Sequence, residues 1–220
     1  MATEMNLETI YQRRFGPDLQ FRERMWQILC RDYFQRFVPP DSSVLEVGAG
    51  YCEFINTIVA RRKIAVDLNP DVRQHAAAGV EVLVTTSTDL SALAPGSLDI
   101  AFASNFFEHL ERRDIVQTMR EVARVLRPGG RFLILQPNYR YCHRDYWMFF
   151  DHLTALDHHS LAEALETSGF SVVHSVVRFL PYTTKSRLPK SPSLIALYLR
   201  FPLLWRIFGQ QTFVVAQVNR

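Results

Sequence analysis

Several features that mark membrane-spanning, secreted or disulfide-rich proteins are missing from this sequence. Its 220 residues contain no stretch of about 18 uncharged apolar residues, which argues against a transmembrane helix. The N-terminal stretch up to Phe15 has charges but no apolar run behind them, unlike a secretory signal. The three cysteines are widely spaced and include no CxxC pair, which disfavours a disulfide framework or a zinc cluster. We therefore expect a cytoplasmic domain.

Acidic residues are absent from the last part of the chain. From Ser171 to Arg220 there are seven Lys or Arg and no Asp or Glu, whereas the first 170 residues carry 18 basic and 22 acidic groups. This asymmetry is typical of a surface that faces an anionic partner, and equally of a solvated basic face. Both interpretations stay open from the sequence.

Short β-branched runs alternate with amphipathic stretches after residue 40. This alternation is typical of βαβ units on a parallel sheet. We predict an α/β fold, a Rossmann-like doubly wound sheet of seven strands whose last pair is antiparallel. Residues 1–40 are expected to form an N-terminal helical extension, residues 41–220 the main domain, and residues 180–211 a lid-like insert before the last strand. The predicted strands are 43–47, 64–67, 80–85, 98–103, 131–135, 171–179 and 212–218.

Two capping boxes predict where helices begin. Asp114 and Gln117 have the spacing of one, and Ser160 and Glu163 have the spacing of another. The turn Pro128-Gly-Gly130 is expected to follow the first of these helices and to precede the fifth strand.

The most specific motif is Val44-Leu-Glu-Val-Gly-Ala-Gly50, at the end of the first predicted strand. Ligands of open α/β sheets bind outside the carboxyl ends of the strands, and glycines let the backbone approach them closely. A dinucleotide site needs a third glycine three residues after Gly50, but Glu53 stands there. Its charge would repel a pyrophosphate, which disfavours NAD or FAD.

With Glu46 two residues ahead of the glycines, this segment resembles the first motif of the class I S-adenosylmethionine-dependent methyltransferases. The resemblance continues through Asp67, Ser87-Thr-Asp-Leu90, Asn105-Phe-Phe-Glu-His-Leu110 and Arg127-Pro-Gly-Gly-Arg131, each beside a predicted strand. It implies S-adenosylmethionine as the cofactor, with Asp67 on the ribose hydroxyls and Asp89 near the adenine. The cofactor-binding residues that it implies are Glu46, Gly48, Ala49, Gly50, Asp67, Leu68, Asp89, Leu90, Asn105 and Phe106.

Methyl transfer needs an acceptor held in line with the methyl carbon, and an oxygen or ammonium acceptor also needs a base. Histidine suits that role near neutral pH. We expect His152 to be the base, with His109 as the second candidate. No metal is required, and the sequence offers no ligand set at a recognisable spacing.

Aromatic and basic residues indicate where an acceptor would bind. The segment after the fifth predicted strand is rich in aromatic side chains, which can stack on a sugar or an aromatic acceptor. The insert adds cations suited to a phosphate or carboxylate. The candidate substrate-binding residues are Tyr139, Tyr141, Tyr146, Trp147, Lys185 and Arg187.

Residues 188–208 are apolar but are interrupted by Pro202 and two arginines. The apolar stretch within them, Leu194–Phe208, is about fifteen residues long and so too short to span a bilayer. Three interpretations stay open: contact with a membrane interface, a cover for the core, or a homodimer contact. The segments GAGYCEFIN, SNFFEHL and LPYTTKS resemble bacterial methyltransferases associated with polysaccharide or glycolipid assembly. The resemblance implies a small-molecule or lipid-linked acceptor, and a place in the cytoplasm or at the inner face of the membrane.

Other function classes remain as alternatives. An NAD(P)-dependent oxidoreductase shares the α/β frame, and a cofactor-binding scaffold without turnover would share the glycine motif. Protein or nucleic-acid methylation is a further alternative. We expect no nucleic-acid partner, because no Asn-Pro-Pro-Tyr motif for a flipped base follows the fourth predicted strand.

Overall fold

A seven-stranded sheet forms the centre of the computed structural model, which describes residues 19–182 and 191–219. The strand order is β3-β2-β1-β4-β5-β7-β6. Strand β7 runs antiparallel to β5 and β6, whereas the other neighbouring strands are parallel. The predicted fold class, including the antiparallel last pair, is therefore confirmed. The strands are β1 (Ser43–Val47), β2 (Arg62–Asp67), β3 (Val80–Val84), β4 (Leu98–Ser104), β5 (Leu126–Pro137), β6 (Phe170–Val176) and β7 (Gln211–Val218).

Helices cover both faces of this sheet. Alternate residues of β4 point to opposite sides, so that Phe102 enters one apolar layer and Ala101 the other. Residues from α1 and α8 pack in the first layer, and residues from α4 and α6 pack in the second. The helices are α1 (Leu19–Asp32), α2 (Glu53–Thr57), α3 (Val72–His75), α4 (Arg112–Val125), α5 (Tyr139–Tyr146), α6 (His158–Thr167), α7 (Pro192–Arg200) and α8 (Pro202–Phe208).

Both capping predictions place the helix start too late. Helix α4 begins after Glu111, so Asp114 lies inside its first turn. Helix α6 is capped by Asp157, whose side chain accepts from the backbone N–H of Ser160, and Ser160 returns a bond to the Asp157 N–H. Ser160 therefore belongs to a capping box, but as its third helical residue.

Strand β5 also starts earlier than predicted. Leu126 already pairs with Leu98 of β4, and a register irregularity separates that pair from the pairing of Ile100 with Arg131. Pro128-Gly-Gly130 is therefore part of an irregular strand instead of a turn between helix and strand.

The topology brings several loops to one edge of the sheet. Strands β1, β2, β4 and β5 are parallel, so their carboxyl ends lie together. Because β7 is antiparallel to β5, its first residue, Gln211, pairs with Pro137 at that same edge. The backbone N–H of Phe179 donates to the Gln211 carbonyl at 2.7 Å, so the insert leaves and rejoins the sheet there.

Candidate functional site

The loop after β1 requires glycine at its first position, Gly48. Gly48 has a φ of +66°, and a Cβ added there would lie 2.2 Å from Cδ2 of Phe106. The N–H groups of Gly48 and Ala49 both donate to the Val66 carbonyl of β2, at 2.9 and 3.0 Å. Gly50 follows with a φ of +50°. The loop thus lies flat against the ends of two strands, with the Phe106 ring directly over it.

Asp67 lies at the junction of this loop with β2. Its side chain is buried, Oδ2 accepts from the Gly50 N–H at 2.7 Å, and Oδ1 accepts from the Asn69 N–H at 2.8 Å. Burial raises the pKa of Asp67 above its ordinary value, although these N–H bonds act to lower it. Leu68, the next residue, is 59% exposed. The carboxylate is held in place, and Leu68 is open to a ligand.

Glu46 occupies a position beneath the loop. Its side chain is buried and Oε2 accepts from the Ile55 N–H of α2 at 2.9 Å. Burial raises the pKa of Glu46 well above its ordinary value. Glu46 therefore fixes the loop to the following helix, and any effect on a cofactor would pass through that loop.

Glu53 does not face the glycine loop as an isolated charge. Its Oε1 accepts from Arg22 Nε of α1 at 2.7 Å, and both side chains are mostly buried. Arg22 thus neutralises the Glu53 carboxylate, so the expected repulsion of a pyrophosphate would be weaker than the sequence alone predicts.

The loop after β3 presents Asp89 and hides Leu90. The Asp89 side chain is exposed, and its hydrogen bonds with Ser91 lower its pKa. Leu90 is fully buried in the second apolar layer, and its N–H donates to Oε2 of Glu121 at 2.9 Å. Of the two predicted contacts, only Asp89 offers a side chain toward a ligand.

The residues after β4 connect the glycine loop with a second group of side chains. Asn105 has a φ of +47°, and its N–H donates to the Leu135 carbonyl of β5 at 2.8 Å. This left-handed turn is followed by Phe106, which contacts Gly48. Asn105 and Phe106 thus lie between the glycine loop after β1 and the group of side chains that begins at Glu108.

Two histidines and two carboxylates meet beyond Phe106. Nδ1 of His109 lies 3.2 Å from Oδ2 of Asp151, and the rings of His109 and His152 are 5.0 Å apart. Glu108 is buried, and its Oε2 accepts from Gln136 Nε2 at 2.9 Å. Burial acts to lower the pKa of His109, but the Asp151 hydrogen bond and the Glu108 charge raise it above its ordinary value overall.

The backbone explains why these distant residues converge. The N–H groups of Leu153 and Thr154 both donate to the Glu108 carbonyl, at 2.7 and 3.2 Å. The Tyr146 hydroxyl donates to the Thr154 carbonyl at 2.5 Å. The loop after α5 is therefore fastened to the turn after β4, with His152 facing His109.

Sequence reasoning missed Glu108, Gln136 and Asp151. A local signal existed for each of them, since Glu108 and Asp151 adjoin the two predicted histidines and Gln136 lies near the end of β5. Glu108 and His109 are adjacent in the sequence and His152 is distant from them, yet the three bring ligand atoms within 4.8 Å of one another.

The predicted acceptor aromatics occupy different positions. Tyr146 is fully buried, so it supports the loop and is not placed to contact an acceptor. Trp147 is half-exposed and donates to the Tyr139 hydroxyl at 3.3 Å. Tyr141 packs under the Arg178 guanidinium, 4.7 Å from its ring centre. Lys185 and Arg187 lie outside the described residues.

The insert reaches this cluster and also has an apolar outer surface. Tyr182 has its hydroxyl 3.5 Å from Nε2 of His152. Helices α7 and α8 bury Leu199 and Trp205 in the core, so part of the insert covers the core. No helix among the described residues is long and apolar enough to cross a membrane. The outer surface of α7 and α8 has side chains that are 45–73% exposed, namely Leu194, Leu197, Phe201, Leu203, Ile207 and Phe208.

Known proteins resemble this chain in sequence and in fold. Residues 45–134 match the family described as a methyltransferase domain. A protein of Mycolicibacterium smegmatis named as an S-adenosylmethionine-dependent methyltransferase is 35% identical over 135 residues, covering 59% of this chain and 52% of that protein. One of Mycobacterium tuberculosis with the same description is 33% identical over 137 residues, covering 59% and 48%. The chain thus spans about half the length of these curated relatives.

A solved structure extends the likeness to most of the fold. A SAM-dependent methyltransferase from Archaeoglobus fulgidus matches with a TM-score of 0.67 at 18% identity, covering 91% of this chain and 97% of that one. At that identity the comparison supports the shared fold alone.

Proposed function

We propose that the chain is a class I S-adenosylmethionine-dependent methyltransferase that methylates a small-molecule acceptor, since residues 45–134 match a methyltransferase domain and curated relatives carry that description. S-adenosylmethionine is the methyl donor. The observation that carries the proposal is the buried Asp67 carboxylate fixed against the glycine loop at the carboxyl edge of the sheet. The ligand of an open α/β sheet binds at that edge.

Asp67 is suited to the ribose of the donor. The N–H groups of Gly50, Asn69 and Leu68 all act on this carboxylate, and since a carboxylate has about four lone-pair sites, one remains for a ribose hydroxyl. The backbone of Gly48, Ala49 and Gly50 would face the methionine part, with Asn105 and Phe106 closing that end. Leu68 and Asp89 would line the adenosine side, whereas Glu46 acts through the loop.

The acceptor would bind on the other side of Phe106, near His109 and His152. Methyl transfer requires the acceptor atom within about 3–3.5 Å of the methyl carbon, in line with the breaking C–S bond. The two histidines are the polar side chains best placed to activate such an acceptor. Trp147 and Tyr139 pack against Tyr146, whose ring contacts that of His152, and would form a partly exposed aromatic wall on that side.

The insert supports a lipid-linked or otherwise anionic acceptor. Its exposed apolar side chains lie on helices that also carry Arg200 and Arg206, and no acidic residue occurs after Ser171. Apolar surface combined with positive charge suits an interface of anionic lipids. Residues 188–208 would then hold the enzyme at the inner face of the membrane, and Lys185 and Arg187 would contact the anionic group of the acceptor.

The cofactor part is tested by calorimetric titration with S-adenosylhomocysteine and, separately, NADH. We expect micromolar binding of the first ligand alone. Asp67→Ala should weaken it by about 10- to 100-fold, because one hydrogen bond to a charged group contributes about 1.5–3 kcal/mol. Asp71→Asn, on the following turn, is the matched control. Binding of NADH, or of neither ligand by the folded protein, would contradict the proposal.

Turnover separates an enzyme from a scaffold. Labelled methyl groups from S-adenosylmethionine should enter a lipid or sugar fraction of a bacterial extract when the wild-type protein is added. Tight S-adenosylhomocysteine binding without transfer to any fraction would favour the scaffold alternative.

Membrane contact is tested with vesicles of phosphatidylglycerol and of phosphatidylcholine. The pair Leu203→Ser and Ile207→Ser should weaken sedimentation with phosphatidylglycerol about a hundredfold, because burying each side chain contributes about 1.5 kcal/mol or more. Val59→Ser removes an equally exposed side chain elsewhere and is the control. Failure of wild-type protein to bind either vesicle, or a dimer that those variants abolish, would favour a homodimer contact.

A further inference from the structure

Three side chains at the acceptor end have the composition of a metal site. Glu108 and His109 come from the turn after β4, and His152 comes from the loop after α5. Their ligand atoms all lie within 4.8 Å of one another. Oε1 of Glu108 and Nε2 of His109 are 3.9 Å apart. Ligand atoms around a tetrahedral zinc ion are about 3.3 Å apart. A small side-chain rotation would therefore bring these two atoms to the separation that a bound cation requires.

The remaining polar atoms of Glu108 and His109 are already engaged by outer partners. Gln136 donates to Oε2 of Glu108 at 2.9 Å, which leaves Oε1 facing the histidine. Both the carboxylate and the backbone carbonyl of Asp151 lie 3.2 Å from Nδ1 of His109, and these acceptors favour a tautomer with the proton on Nδ1 and the lone pair on Nε2. Carboxylate-to-histidine and amide-to-carboxylate contacts of this kind orient the ligands of metal ions in proteins.

Charge gives a second reason for a cation. Glu108 is 1% exposed and Asp151 is 7% exposed, so two carboxylates lie buried around one imidazole pair. The charged groups that act on Glu108 are His109 and the second carboxylate, Asp151. Burying like charges together is unfavourable unless a positive charge compensates them. A divalent cation among the three ligand atoms would provide that charge.

We propose that Glu108, His109 and His152 bind a divalent transition-metal cation, of the zinc or manganese class, which coordinates the acceptor oxygen. The inference rests on the proposed function. Two imidazole nitrogens and one carboxylate oxygen form a set that such cations prefer, and three protein ligands leave a position open for substrate. Asp151 and Gln136 are then positioning residues.

The cation changes how the acceptor is activated. Coordination lowers the pKa of an acceptor hydroxyl, whose proton leaves to water because the imidazole lone pairs are occupied. The oxygen then bonds to the methyl carbon as the C–S bond breaks, and S-adenosylhomocysteine leaves as the neutral thioether. The histidines act as ligands in this scheme and not as bases.

Metal titration of the purified protein tests this directly. After treatment with a chelator, calorimetry with zinc, manganese and magnesium chloride should show one equivalent of zinc or manganese bound at micromolar concentration or tighter. We expect Glu108→Gln and His152→Asn to weaken that binding strongly, and Asp151→Asn to weaken it by about 10- to 100-fold. Glu111→Gln and His143→Asn, at exposed neighbouring positions, are the matched controls and should bind as the wild type does.

S-adenosylhomocysteine binding is measured in the same variants. Retained binding in Glu108→Gln shows a folded protein, so that its loss of metal affinity then reports on the ligand set alone. The metal proposal is overturned if wild-type protein binds none of the three cations, or if Glu108→Gln and His152→Asn bind them unchanged. Absence of S-adenosylhomocysteine binding in the wild type would instead overturn the proposed function.

Discussion

The two halves of the sheet edge are built in different ways. The half at β1 and β2 is made mainly by backbone: Gly48 and Ala49 donate to one carbonyl of β2, and Asp67 accepts from Gly50. The half at β4 and β5 is made by side chains, with His109 meeting a loop some forty residues farther along the chain. A backbone-built site is determined by conformation, so it tolerates few substitutions. A site made by side-chain contacts depends on which side chains are present, so its residues can be substituted while the backbone fold is kept.

The largest expected effect is at the backbone-built half. Gly48→Ala should abolish S-adenosylhomocysteine binding and lower the free energy of unfolding by about 2–5 kcal/mol, from left-handed strain and from collision with Phe106. Gly79→Ala is the matched control, since Gly79 has a φ of +88° and no atom within 4 Å of an added Cβ. It should lose about 1–2 kcal/mol and bind normally. Equal losses in urea unfolding would mean that the Phe106 contact is unimportant.

A smaller effect is expected at the side-chain-built half. Tyr146→Phe removes the hydroxyl that donates to the buried Thr154 carbonyl, and should lower the free energy of unfolding by about 1–3 kcal/mol. Its S-adenosylhomocysteine affinity should stay unchanged, because the cofactor half is separate. Tyr139→Phe removes a partly exposed hydroxyl and should cost under about 0.5 kcal/mol. Cofactor affinity that falls with Tyr146→Phe would show that the halves are coupled.

The smallest effect concerns the loop that presents Asp89. Glu121 pairs with Arg124, which lowers the pKa of Glu121 below its ordinary value of 4.5, and it accepts from the Leu90 N–H. A lowered pKa contributes stability above that value, and the contribution is lost as the pH falls through the folded pKa. Glu121→Gln should therefore cost about 0.5–1 kcal/mol at pH 7 and less at pH 3 in urea unfolding. Glu111→Gln, in an exposed ion pair, should change stability at neither pH.

The two halves also differ in how well the sequence predicts them. Gly48 and Asp67 each lie directly at the end of a strand, so local spacing is enough to bring them to one edge. The contact of Asp151 with His109 depends on N–H bonds from Leu153 and Thr154 to Glu108, which no local pattern encodes. His109 and His152 can therefore be proposed from the sequence, but their contacts with carboxylate neighbours cannot.

Helix starts show a second limit of sequence reasoning. The pattern at Asp114 is a valid capping signal, but Arg112 and Arg113 also tolerate helical geometry, so α4 extends back to Glu111 without a side-chain cap. Helix α6 begins about one turn before the predicted position. Asp157, and not Ser160, is the N-cap, because its side chain accepts from the N–H groups of both His159 and Ser160.

The antiparallel pairing of β7 has a consequence for how this enzyme class diversifies. The insert leaves and rejoins the sheet at neighbouring points, where Phe179 bonds to Gln211 and Gln211 pairs with Pro137. A segment with adjacent ends can be exchanged for another of different length without disturbing the strands that carry the glycine loop. A change of length or sequence in the insert can therefore be accommodated as one replaceable unit, while the sheet and its glycine loop stay as they are.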